Sequence, residues 1–146
     1  MNMSIASLPK AFGSIMILVC LGGCDTSGRA VFRNDNSQPV DLVVDSPAVR
    51  TAIEQEERRQ ESLGSQEGNP ADLQARGAFL RNLNSFETVK VAVGTRARIL
   101  ERTNCRCQLY PHVTPAILKV RVLNGSAKNV EGWTCDLYVG TPPPLP

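Results

Sequence analysis

The stretch Ile117-Leu-Lys-Val-Arg-Val-Leu-Asn-Gly125 decides what kind of fold this chain adopts. Leu118, Val120 and Val122 alternate with Lys119 and Arg121, so one face of an extended segment is apolar and the other cationic. That is a half-buried strand. Asn124-Gly125 behind it signals a hairpin, because both residues tolerate the positive φ of a type I′ turn. Working outward, Val89, Val91 and Val93 alternate with Lys90 and Ala92 until Gly94-Thr95 ends the run, and Arg-Ala-Arg-Ile-Leu-Glu-Arg follows over 96–102. On the other side, Trp133, Cys135, Leu137 and Val139 share one face of a strand while Thr134, Asp136 and Tyr138 share the other. Several short strands with tight turns predict a mainly β fold, a small antiparallel barrel over residues 86–140.

Upstream of the strands the period becomes helical. Ser46-Pro47 pairs a capping side chain with a proline at the first helical position, and the helix runs on toward Gly64. Its apolar positions Val49, Ile53 and Leu63 are interrupted by Glu56 and Gln60, while Glu54 and Arg58 are spaced as a favourable ion pair, so most of this helix is expected to face water. Gly64 to Gly68 break the pattern, and Asn69-Pro70-Ala71-Asp72 restarts it with a cap, a proline and an acid in the first turn. The second helix carries Leu73, Phe79, Leu80 and Leu83 on a clearer apolar face. The two helices occupy 46–85. Before them, 24–45 reads as a polar, flexible tether in which Ala-Val-Phe (30–32) and Pro-Val-Asp-Leu-Val-Val (39–44) could pair as a hairpin. After the strands, 141–146 is a proline-rich tail suited to polyproline II.

The first 23 residues have a different character. Ala11 to Gly23 carries no charge and follows Lys10, and as a helix it reaches only about 20 Å, short of a bilayer core of roughly 30 Å. It reads as the apolar region of a signal peptide, with Cys20 a small hydrophobe inside it. Leu21-Gly22-Gly23-Cys24 resembles the lipobox of bacterial lipoproteins: an aliphatic residue, two small residues, then a cysteine. The resemblance implies cleavage before Cys24, diacylglycerol on its sulfur and an acylated new amino terminus, hence an exported protein whose membrane partner is reached through Cys24. Glycines before the cut suit a narrow protease site that must accept an extended backbone. Asp25 resembles the signal that retains some such lipoproteins in the inner membrane.

The β segment carries a second resemblance. Val-Gly-Thr-Arg-Ala-Arg-Ile-Leu-Glu (93–101), the hairpin stretch ending at Gly125 and Glu-Gly-Trp-Thr-Cys-Asp-Leu-Tyr-Val (131–139) together are similar to bacterial SH3-like domains. Asn104 to Ala116 departs from that pattern, and the crowded aromatic surface used for proline-rich peptides is missing. The resemblance implies a non-enzymatic module that binds cell-wall material, such as peptidoglycan, or an envelope protein. Trp133, Tyr110 and Tyr138 are the candidate contacts, since aromatic faces suit sugars and peptides, although Trp133 shares its face with Cys135 and Leu137 and so also reads as core.

Cys105, Cys107 and Cys135 remain. In an oxidising compartment, joining either Cys105 or Cys107 to Cys135 would tie the departing loop to the last strand, whereas bridging Cys105 to Cys107 closes a very short ring. One thiol is then left over. The alternative function uses the same residues: Cys105, Cys107, His112 and Cys135 supply a donor set for an envelope metal-binding or thiol-redox protein. A single histidine and no nucleophile elbow argue against an enzyme, and no cofactor is expected. Sixteen Lys and Arg against 14 Asp and Glu are too balanced to suggest a nucleic-acid partner.

Overall fold

A computed structural model of the protein describes residues 28–108 and 115–142. Among them, seven strands form one antiparallel sheet in the order β3-β2-β6-β5-β4-β1-β7. The strands are β1 (Arg29–Phe32), β2 (Val40–Val44), β3 (Thr88–Val91), β4 (Arg96–Arg106), β5 (Ala116–Val122), β6 (Glu131–Cys135) and β7 (Val139–Gly140), with helices α1 (Pro47–Glu61) and α2 (Pro70–Asn84) inserted between β2 and β3. The sheet curls into a half-barrel. A mainly β fold with two helices is therefore what the alternation and the caps predict.

The segment expected to be a tether is instead part of the sheet. β1 lies between β4 and β7, and β2 lies between β3 and β6, so the two do not form the hairpin their sequence suggests. The reason is burial: Phe32, Val40 and Leu42 are almost fully enclosed, and each needs a partner strand that the other cannot provide alone. The Asn124-Gly125 expectation also changes. β5 and β6 are antiparallel neighbours, but the connection is longer than two residues, and the positive φ values fall at Gly125 and Asn129 rather than at Asn124. Asn124 instead turns its side-chain oxygen to the Arg96 N–H at 2.8 Å, tying the turn to β4. Two alternations stop early. Val93 is exposed beyond the end of β3, and residues after Cys135 form a 3-10 turn over Asp136–Tyr138 before β7.

Period two sorts the side chains onto two cores. Phe32, Leu42, Val91, Ala97, Leu118, Val120 and Val122 fill the inside of the curl. Val43, Ile117, Trp133, Cys105, Cys107 and Cys135 face the other way and pack against Val49 and Ile53 of α1 and Phe79 and Leu83 of α2. At about 25 cal/mol per Å² of apolar surface, burial on both faces makes this sheet the main source of stability. Gly132 is required where β6 passes β2: a Cβ there would stand 2.5 Å from the Val43 carbonyl oxygen and 2.7 Å from Leu42 Cγ.

Both helix starts form as their caps dictate. Ser46 accepts from the Val49 N–H at 3.2 Å and Asn69 from the Asp72 N–H at 2.8 Å, each with proline following. The buried stripes are less apolar than expected. On α1 the inward residues are Val49, Ile53 and Glu56; on α2 they are Asp72, Arg76, Phe79 and Leu83, while Leu73 is 51% exposed. No ion pair joins Glu54 to Arg58. Arg59 instead bridges Glu56 and Asp72, at 2.9 Å to the latter, and Arg76 grips Asp72 at 3.1 Å, so the two helices are clamped at their shared end.

Candidate functional site

The chemically able side chains form two groups, one at the helix-covered end of the sheet and one of exposed arginines on β1 and β4. At the covered end, Trp133 is only 3% exposed, so this residue is core rather than a surface contact. Its indole N–H donates to Asp45 at 2.8 Å, and the Lys119 ammonium stands 6.0 Å from its ring centroid, within cation–π range. Asp45 also accepts from Arg50 and pairs with Lys119 at 3.2 Å. The Arg50 guanidinium, helped by Trp133 and Lys119 against the cost of burial, holds the Asp45 carboxyl well below the usual carboxylate range. Asp45 therefore ties the end of β2, the start of α1 and the centre of the sheet together.

Tyr138 is half-buried between the two cores. It stands with Trp133, Thr134 and Asn84 around a cleft of about 120 Å³ between α2 and the sheet. The Thr134 hydroxyl has no hydrogen-bond partner there. Such a space suits water or a single small group more than a sugar. Tyr110 and His112 lie outside the described residues, as do Cys24 with Leu21, Gly22 and Gly23 before it, and Pro143 to Pro146 of the tail.

Cys107 and Cys135 form a disulfide across 28 residues. Cys105 is the free thiol, completely buried, and burial, aided by Glu56 and Glu57, pushes it up to about 12. It is a packed, protonated group rather than a nucleophile. With Cys107 and Cys135 joined to each other, two of the four residues considered for a metal have no thiol left to offer one. Among the described residues no three His, Cys, Asp or Glu side chains converge as a metal site.

β4 reaches beyond its regular pairing with β5, with register shifts on either side of Glu101 and Arg102. Helix α1 satisfies the freed backbone. Glu57 accepts from the Asn104 N–H at 2.7 Å, and Gln60 both accepts from the Arg106 N–H at 2.8 Å and donates to its carbonyl at 3.0 Å. These contacts hold Cys105 and Cys107 under the helix.

The sheet is basic along β1 and the start of β4. Arg29 of β1 sits directly opposite Arg98 of β4, Val31 opposite Arg96, and Arg98 opposite Arg121 of β5. Arg121 is answered by Glu131 of β6, whereas Arg29, Arg96 and Arg98 are exposed and have no carboxylate partner among the described residues. Like charges directly opposite one another disfavour the sheet. Beside this row is a groove of about 420 Å³ lined by Arg29, Arg33, Arg102 and Asp136, with Arg102 and Asp136 3.9 Å apart. Arg96 and Arg98 belong to the 96–102 run that the sequence offers as a second strand, but their alignment with Arg29 depends on a register between segments far apart in sequence. Asp45 had no sequence signal beyond its place before the helix cap.

No helix among the described residues is long and apolar enough to cross a membrane. No family model, curated protein or solved structure matches this chain.

Proposed function

We propose that this protein is a bacterial envelope lipoprotein, held to the membrane through acylated Cys24, whose SH3-like β domain binds wall material or a partner protein without catalysis. The observation that carries the reading is Leu21-Gly22-Gly23-Cys24 at the end of an uncharged run, immediately ahead of a folded domain. The Cys107–Cys135 bridge supports it, because disulfides persist in exported proteins and are rare in reducing compartments. The SH3-like assignment draws on the β5–β6 hairpin and the Gly132-Trp133 pair; the inserted helices and the seventh strand are this chain's own elaboration. Since Trp133 is enclosed, Tyr138 beside the cleft is the candidate contact that remains among the described residues.

Intact mass on detergent-extracted protein from a bacterial host tests the anchor. A mass equal to residues 24–146 plus acyl groups is expected, and an unmodified full-length mass would refute it. Retention on purified peptidoglycan, compared with capture of envelope proteins by the acylated chain, distinguishes the two partner classes.

A further inference from the structure

Three exposed arginines on one sheet face, without a carboxylate partner among the described residues, require a reason, because the repulsion between Arg29 and Arg98, directly opposite each other, costs stability. Exposure alone explains how Arg29, Arg96 and Arg98 are tolerated, not why they are aligned. The chain length ahead of them supplies a physical constraint. β1 begins at Arg29, so only five residue steps separate it from Cys24, and five steps span at most about 18 Å however the backbone runs. A lipid on Cys24 would thus keep the start of β1 within about 18 Å of the headgroups, close enough for arginine side chains there to enter the Debye length of roughly 8 to 10 Å over which surface charge acts. The expected long spacer would have removed that proximity.

We propose that the face formed by Arg29, Arg96 and Arg98 lies against the membrane and binds anionic phospholipid headgroups. The inference rests on acylation at Cys24, and it adds an orientation: β1 and the start of β4 face the bilayer. Arginine guanidinium groups pair with phosphate oxygens through two parallel donors, and Arg29 opposite Arg98, with Arg96 two positions along the same face of β4, presents three such forks together.

The test uses the acylated full chain, its lipid first verified by intact mass, inserted into preformed vesicles of phosphatidylcholine alone or with one third phosphatidylglycerol. Phenylglyoxal labelling followed by peptide mass spectrometry reads each arginine. Arg29, Arg96 and Arg98 should lose roughly threefold or more reactivity on the anionic vesicles and regain it in high salt, while the exposed Arg58 in the last turn of α1 remains unchanged. In the double variant R29E/R98E, Arg96 should label equally on both vesicles. Equal labelling of the native protein on both compositions would overturn the lipid-facing surface while leaving the anchor intact. Protection by peptidoglycan but not by vesicles would assign the face to the wall and overturn it too. An unacylated chain would overturn both readings.

Discussion

Breaking the Cys107–Cys135 bond should weaken this domain by an amount that follows from where the bond lies. It closes a loop of 28 residues, and the lost loop entropy of the unfolded chain is worth about 3.6 kcal/mol. Reduction leaves both sulfurs in the helix-side core, so little packing is lost and the entropic effect dominates. With a urea slope of roughly 2 kcal/mol per molar, the unfolding midpoint should fall by roughly 2 M when the protein is unfolded and refolded with reductant. Circular dichroism against urea, with and without reductant, measures this. Trypsin provides the accompanying identification, because Arg106 separates the two neighbouring cysteines: Cys105 falls in Thr103–Arg106 and Cys107 in Cys107–Lys119. The non-reduced digest should contain 107–119 joined to 129–146. A bridge to 103–106 would refute the pairing, and midpoints within about 0.5 M of each other would refute the argument that this link carries several kcal/mol.

Gly132→Ala places a methyl group against the Val43 carbonyl and Leu42, and since the carbonyl is backbone the strands must part; a loss of about 2 to 3 kcal/mol in urea unfolding is expected. Asp45→Asn should cost about 2 kcal/mol at neutral pH by removing charge-assisted bonds to Arg50 and Lys119, as read by thermal or urea melts. The native Asp45 and Asp72 carboxyls are both held low, so their stabilisation is present above the ordinary value of about 4 and declines as pH falls below it. Asp45→Asn should flatten that acid limb, and an unchanged limb would contradict the role given to Asp45. Cys105, enclosed and protonated, should resist iodoacetamide at pH 8 in the folded protein and take up one label after unfolding, which mass spectrometry can count.

Residues of strong local character were legible without any structure. Ser46-Pro47 and Asn69-Pro70 set helix starts because a cap and a fixed proline φ act within one turn. The alternation around Lys119 separates the two faces of β5 for the same local reason, and the cysteine spacing set aside only the short Cys105–Cys107 ring, leaving either residue to reach Cys135. What failed locally did so where distant groups intervened. Glu56 and Gln60 seemed to interrupt an apolar stripe, yet both point inward because Arg59 and the Arg106 backbone satisfy them. Asp72 is equally enclosed, with Arg59, Arg76 and the Gly68 N–H offsetting its burial. A buried polar residue is indistinguishable from a solvated one until its partner is known.

Segment 24–45 makes the division plain. Its Asp, Asn and Ser content is that of a spacer, and the sequence by itself determined the short apolar runs at 30–32 and 40–44, but not their pairing. Only the tertiary structure decided that one joins β4 and β7 and the other β3 and β6. The basic row arose in the same step: Arg29 and Arg98 are 69 positions apart, and the antiparallel register brings them opposite each other. Caps, turns and alternation are short-range and can be read along the chain, whereas strand partners are selected by the burial of both faces at once.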